Sequence, residues 1–204
     1  GLIALGMRED DELIAVREIG EDDHIVLATA NGMAIRFSAT DVRPMGRSAA
    51  GVKGVGLRRG DTVVASLTLR PEDQSTEIMA VSALGYGKRT RVDLYRLQSR
   101  GGIGLINFKV SSKTGGVIGA MPVTDSDSLI LLTSTNKIIR LSVDEVRSVG
   151  RATMGVRLVR LDDGACVVGF DTVADNSGMD ADEKDENAPA VTPTQEDSGA
   201  DVQS

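Results

Sequence analysis

Arginine recurs in this chain at a fixed spacing, which suits either a repeating polyanion or the tying of repeated units to one another. Arg36, Arg89 and Arg140 are each followed seven residues later by Arg43, Arg96 and Arg147, and four residues further on by Arg47, Arg100 and Arg151. A planar guanidinium donates in pairs to phosphate oxygens, and rows of them match a curved phosphate backbone. The structural alternative is that they pair with Asp41, Asp93, Asp144 and Glu145 and so stitch units together. Arginines in glycine-rich turns (Arg43, Arg47, Arg96, Arg100, Arg147, Arg151) suit phosphate better than Arg36, Arg89 and Arg140, which fall in strand-like runs. Lys53, Arg58, Arg59, Lys88 and Arg91 extend the same cationic patch. In the Gly101-Gly102-Ile103-Gly104 loop, turn geometry is the first use of the glycines, with amides facing phosphate as the second. No constellation suited to reading base edges is visible, so binding is expected to follow charge and shape.

Other chemistries find little support. Cys166 is the only cysteine and His24 the only histidine, so neither a disulfide framework, a zinc site nor a Cys/His nucleophile pair can be assembled. Tyr86 and Tyr95 lack an accompanying acidic metal cluster, and packing is their expected role. Gly85-Tyr86-Gly87-Lys88-Arg89-Thr90 resembles a phosphate-binding loop only superficially, because Ser82 stands where the first glycine belongs. No catalytic or metal site is expected in this segment.

The elements that must position the arginines are repeated hairpins. Ile25–Thr29, Asn31-Gly32 and Ala34–Phe37 form the first, a β-branched run, a turn, and a second run containing arginine. Ile78–Val81 with Lys88–Thr90, and Leu129–Thr133 with Ile138–Leu141, repeat it at about fifty residues. Gly51, Gly104 and Gly155 follow each arginine set, and Val63–Ala65, Val117–Gly119 and Val167–Gly169 close each unit. Leu13–Val16 matches the closing run, so residues 1–20 are expected to be trailing strands of an upstream blade. Units over 21–70, 71–123 and 124–174 follow. A fifty-residue unit of about four short strands has the size of a propeller blade, and no amphipathic helical period exceeds one turn. With two tyrosines, three phenylalanines and no tryptophan, the core must be aliphatic.

The chain of 204 residues carries a formal net charge of −7, but the charge is unevenly placed. Residues 175–204 hold nine acidic residues and one lysine, a composition expected of a disordered acidic tail. The body from 1 to 174 is close to neutral, and its middle, residues 36–113, is at +8. A basic surface beside an acidic tail suits a polyanion partner for which the tail competes. The longest apolar run, Leu129–Leu132, is too short to span a bilayer, there is no signal peptide, and a cytoplasmic setting is expected. The opening Gly1-Leu2-Ile3-Ala4, without an initiator methionine, reads as the start of a fragment.

Asp41-Val42-Arg43-Pro44-Met45-Gly46-Arg47 followed by Gly51-Val52-Lys53-Gly54 resembles the repeat of the bacterial DNA gyrase A C-terminal domain. Gly85–Thr90 and Val149-Gly150-Arg151 with Gly155-Val156 resemble it too. The resemblance covers residues 1–174. It implies an all-β, propeller-like β-pinwheel, here a partial ring, whose basic rim wraps duplex DNA. It also implies a place in a type II topoisomerase that supercoils DNA with ATP. The partners would then be the A-subunit dimer and the gyrase B subunit, with ATP and Mg2+ bound on other regions and no cofactor here. The family's heptapeptide Gln-Arg-Arg-Gly-Gly-Lys-Gly belongs to its first blade, which the resemblance implies is lacking here. Gln98-Ser99-Arg100-Gly101-Gly102-Ile103-Gly104 occupies the equivalent place in its own blade, with Ser99 and Ile103 replacing cations, so its electrostatic grip should be weaker. The alternatives are a topoisomerase IV C-terminal domain that bends DNA, a protein-binding propeller, and, least supported, an enzyme with its own site.

Overall fold

The computed structural model describes residues 1–71, 73 and 76–174. The acidic tail expected over 175–204 lies outside the described residues. Among the described residues eleven strands carry the fold: β1 His24–Thr29, β2 Met33–Ser38, β3 Val63–Leu69, β4 Glu77–Ser82, β5 Tyr86–Arg91, β6 Leu105–Ile106, β7 Val117–Val123, β8 Asp127–Thr133, β9 Ile138–Ser142, β10 Val156–Arg157 and β11 Val167–Ala174. The only helical elements among the described residues are the 3-10 turns Ala39–Asp41 and Val92–Leu94.

Each hairpin forms where the alternating runs meet a left-handed residue. Gly32 at φ 81° and Gly85 at φ 76° turn the first two, and Asn136 at φ 61° the third. Asparagine is among the few L residues that visit this region. The turns close alike, with Gly32 N donating to Thr29 O, Gly85 N to Ser82 O and Asn136 N to Thr133 O. β1 pairs antiparallel with β2 and β3, β4 with β5 and β7, and β8 with β9 and β11.

The fourth strand comes from elsewhere, and here the expectation of blades coincident with sequence units needs correction. The sheets run β3-β1-β2-β6, β10-β5-β4-β7 and β11-β8-β9. Thus β6, from the second unit, completes the first sheet, and β10, from the third, completes the second. The third sheet has three strands among the described residues. The segment before each borrowed strand also crosses: Gln98 N donates to Arg36 O, and Val149 N donates to Arg89 O, both at 2.9 Å. Glycine is required where it lands. A Cβ on Gly104 (φ 81°) would sit 2.3 Å from Ala34 O, and one on Gly155 (φ 70°) 2.2 Å from Gly87 O.

Residues 1–20 form no strand, contrary to expectation. The closing strands β3, β7 and β11 each pair with the first strand of their own hairpin, and residues 1–20 include no hairpin for Leu13–Val16 to join. Leu13, Ile14 and Val16 are exposed instead.

The core lies between sheets. Ile78 and Ala80 pack with Val26, Ala28, Leu67 and Leu69 of the first sheet, while Met79 and Val81 pack with Leu129, Leu131 and Val167 of the third. The two-residue period of β4 therefore sends alternate side chains to opposite neighbours. Each of the valine, leucine, isoleucine and methionine side chains contributes about 1.5–3 kcal/mol when fully buried.

Candidate nucleic-acid interface

In the first two units the second hairpin strand carries its arginine toward the next unit, where the side chain meets backbone carbonyls. Arg36 Nη1 donates to Val92 O at 3.1 Å and Tyr95 O at 3.3 Å, and its Nη2 lies 2.9 Å from His24 Nδ1. Burial, then the Arg36 charge, push the His24 imidazole below its ordinary value, with Asp23 opposing. Arg89 repeats the arrangement one joint later. Its Nε donates to Val146 O at 2.5 Å and pairs with Glu77 at 3.3 Å, and its Nη1 pairs with Asp125. These two guanidinia stitch neighbouring sheets, which favours the structural alternative for them. Arg140 lies exposed on β9 and also interacts within the protein.

Of the other two arginine sets, Arg96, Arg100, Arg147 and Arg151 lie on the crossing segments, and Arg43 and Arg47 on the equivalent loop of the first unit. Arg43, Arg47, Arg96 and Arg147 are exposed and donate to no group among the described residues. Arg43, Arg96 and Arg147 share one position in the repeat, just beyond the turn that ends the second hairpin strand. Arg100 and Arg151 are half-buried: Arg100 donates to Asp41 O at 2.9 Å and Lys53 O at 3.0 Å, and Arg151 to Ile106 O at 2.9 Å. Arg91 pairs with Asp93 at 2.5 Å on the surface, and Lys53 is exposed. Gly101 N donates to Gly54 O at 2.6 Å, so that amide already has an acceptor, while Gly102 is exposed and Gly104 serves the strand contact.

Lys88 departs most from its expected place. Its side chain is fully buried, and Nζ donates to Gly150 O at 2.8 Å and Arg151 O at 2.5 Å, with the Phe108 ring centroid 5.9 Å away. Burial, and secondarily the Arg151 charge, pull the ammonium down to about 7. The equivalent residues in the other units are Ile35 and Ile139, and that mismatch within the repeat is the signal that could have revealed it. The tyrosines are packing residues in structure as well. Tyr95 is buried with its hydroxyl donating to Asn107 Oδ1 at 2.5 Å, and burial pushes its phenol up. Tyr86 accepts from Arg157 Nη2 at 2.9 Å, which lowers its phenol, with Lys113 lying 5.6 Å from its ring centroid.

Among the described residues no group of three or more His, Cys, Asp or Glu side chains could hold a metal ion. What remains is a set of outward arginines at a repeating position, of which Arg96 and Arg147 lie on segments that run from one sheet into the next. The family model described as "DNA gyrase C-terminal domain, beta-propeller" matches residues 23–69, 76–124 and 127–174. The chain belongs to this family. It is 70% identical over 173 residues to the DNA gyrase A protein of Lawsonia intracellularis (strain PHE/MN1-00), covering 85% of this chain and 21% of that protein. It is 44% identical over 167 residues to the DNA gyrase A protein of Staphylococcus epidermidis (strain ATCC 12228 / FDA PCI 1200), covering 82% and 19%. The chain thus spans about a fifth of the length of these curated relatives.

Among solved structures, a DNA gyrase A C-terminal domain superposes with a TM-score of 0.69 at 27% identity, covering 76% of this chain and 52% of that one. The C-terminal domain of a DNA topoisomerase IV superposes with a TM-score of 0.79 at 22% identity, covering 84% and 53%, a likeness of fold. Membership of the gyrase A C-terminal family therefore rests on sequence, and the β-propeller architecture on both sequence and structure. No helix among the described residues is long and apolar enough to cross a membrane.

Proposed function

We propose that this domain binds duplex DNA without sequence preference along the row of exposed arginines and bends it around the blades. On this reading it serves the DNA-wrapping step of ATP-dependent negative supercoiling in a cytoplasmic DNA gyrase, alongside a second copy of the gyrase A protein and the B subunit. ATP and Mg2+ would act on other parts of that assembly. The observation that carries the reading is the partition of the arginines. Arg36 and Arg89 are taken up by the joints, whereas Arg43, Arg47, Arg96 and Arg147 face solvent without a protein partner among the described residues. Four exposed guanidinia without a protein partner among the described residues contribute little to stability. They are well suited to phosphate, where each neutralised charge releases counterions.

Equilibrium binding to two duplexes of unrelated sequence, followed across ionic strength, tests this. Equal affinities that fall linearly with salt on logarithmic axes are expected. A chain that ignores duplex DNA at low salt would instead be a protein-binding propeller, and a strong preference for one sequence would overturn charge-and-shape recognition.

A further inference from the structure

The crossing segment of the third unit turns through Val149, Gly150, Arg151 and Ala152, and its carbonyls are held by the second unit. Thr90 Oγ1 donates to Val149 O at 3.0 Å, Lys88 Nζ to Gly150 O at 2.8 Å, and Lys88 Nζ to Arg151 O at 2.5 Å. Thr153 Oγ1 also donates to Gly150 O, at 2.9 Å. A trans peptide unit is planar, with its N–H directed opposite to its C=O. Three consecutive carbonyls held against β5 therefore aim the next three amides, those of Gly150, Arg151 and Ala152, away from it. None of the three donates to a protein acceptor among the described residues. Gly150 and Ala152 are exposed, and Arg147 stands exposed on the same segment.

The joint between the first and second units lacks this arrangement. Ile35 occupies the place of Lys88 and has no proton to give, and Gly101, the equivalent of Ala152, donates its amide to Gly54 O at 2.6 Å. At these equivalent positions Ser99 and Arg100 likewise donate to no protein acceptor among the described residues, so the two loops differ in the third amide, taken up at Gly101 and open at Ala152, and in the lysine behind the turn.

We propose that the Gly150–Ala152 turn is a phosphodiester-binding cradle, its amides aimed outward by the buried Lys88. Successive amides converging on one side of a turn form a concavity for anions. Lys88 is thus a positioning residue: it touches the carbonyl side, and the phosphate oxygen would meet the amide side. The proposal deepens the DNA-binding reading and rests on it.

The test is a titration of the 15N-labelled chain with a mixed-sequence duplex, following backbone amides, with Lys88→Met measured in parallel. In the natural chain the Gly150, Arg151 and Ala152 amides should shift strongly downfield as duplex saturates, and Gly101 should shift little. Lys88→Met should abolish those shifts and weaken duplex affinity about tenfold, the scale of losing hydrogen bonds to a charged partner. Its remaining amide spectrum should stay dispersed and superimposable, which separates mispositioning from unfolding. If the chain binds duplex while the three amides stay unshifted, the cradle is wrong and the DNA reading stands. If the three shift identically in Lys88→Met, the positioning role of Lys88 is wrong. If no duplex binds at all, the DNA reading itself has failed.

Discussion

Replacing Lys88 by isoleucine should remove a large part of the domain's pH-dependent stability. Lys88 is fully buried, and burial followed by the Arg151 charge brings its ammonium down to about 7 in the folded chain. In the unfolded chain the amine regains the ordinary lysine value of about 10.4. Between those limits the unfolded state binds more protons, so stability rises with pH across this window. The penalty for burying the charge is complete below pH 7 and gone above about pH 10.5. A depression of about three units corresponds to about 4 kcal/mol. Against this, the isoleucine leaves Gly150 O without its Lys88 donor and Arg151 O with none, a loss of about 1–3 kcal/mol. Ile35 and Ile139 show that the repeat accommodates isoleucine at this position. At about pH 6 the variant should therefore equal or exceed the natural chain in stability. At about pH 9.5 the natural chain, with a nearly neutral amine still donating to both carbonyls, should be the more stable. Urea unfolding of both chains at several pH values gives the difference directly, and groups common to both cancel. A difference that moves by about 3–4 kcal/mol between those pH values supports the reasoning. One that stays constant would mean that the folded lysine keeps its ordinary protonation.

Further expectations separate joint residues from rim residues. Arg89→Ala leaves Glu77 half-buried without its guanidinium and should lower stability by about 2–4 kcal/mol in urea unfolding, whereas Arg96→Ala should stay within about 0.5 kcal/mol. Gly155→Ala places a Cβ 2.2 Å from Gly87 O and should destabilise strongly in the same assay. Gly51→Ala, whose added Cβ meets nothing within 4 Å, should lose only about 1 kcal/mol for its positive φ. Truncation after Ala174 removes nine acidic residues and one lysine and should tighten duplex binding most at low ionic strength. Equal affinities of the two chains there would make that segment electrostatically passive.

The hairpins were legible because strand alternation and turn chemistry are local: Asn31-Gly32, Gly85 and Asn136 mark the left-handed positions from the sequence alone. The repeat also exposed the arginine sets and the glycines at 104 and 155. The exchange of β6 and β10 between units was hidden, because two-residue strands such as Leu105-Ile106 carry almost no periodic signal and their partners lie about seventy residues away. The division of labour among the arginines was hidden for a related reason. Arg36 and Arg96 look alike in sequence, and only the crossing places carbonyls around one and solvent around the other. Lys88 was grouped with the surface cations because lysine is rarely buried. The Ile35–Lys88–Ile139 comparison pointed inward, since a position filled twice by isoleucine is a core position. For Leu13–Val16 the closing-run pattern was present, but the pattern specifies a strand only when a hairpin is there to pair with.

The central claim is that the exposed arginines beyond each hairpin, rather than those in the joints, engage the phosphate backbone. The most direct measurement is the salt dependence of duplex affinity for the natural chain and for one carrying Arg43→Ala, Arg47→Ala, Arg96→Ala and Arg147→Ala together. Each phosphate contact contributes about 0.9 to the logarithmic slope, so the four substitutions should flatten it by about 3–4 while thermal unfolding stays unchanged. A slope that does not move would place the DNA elsewhere on the domain and contradict the account.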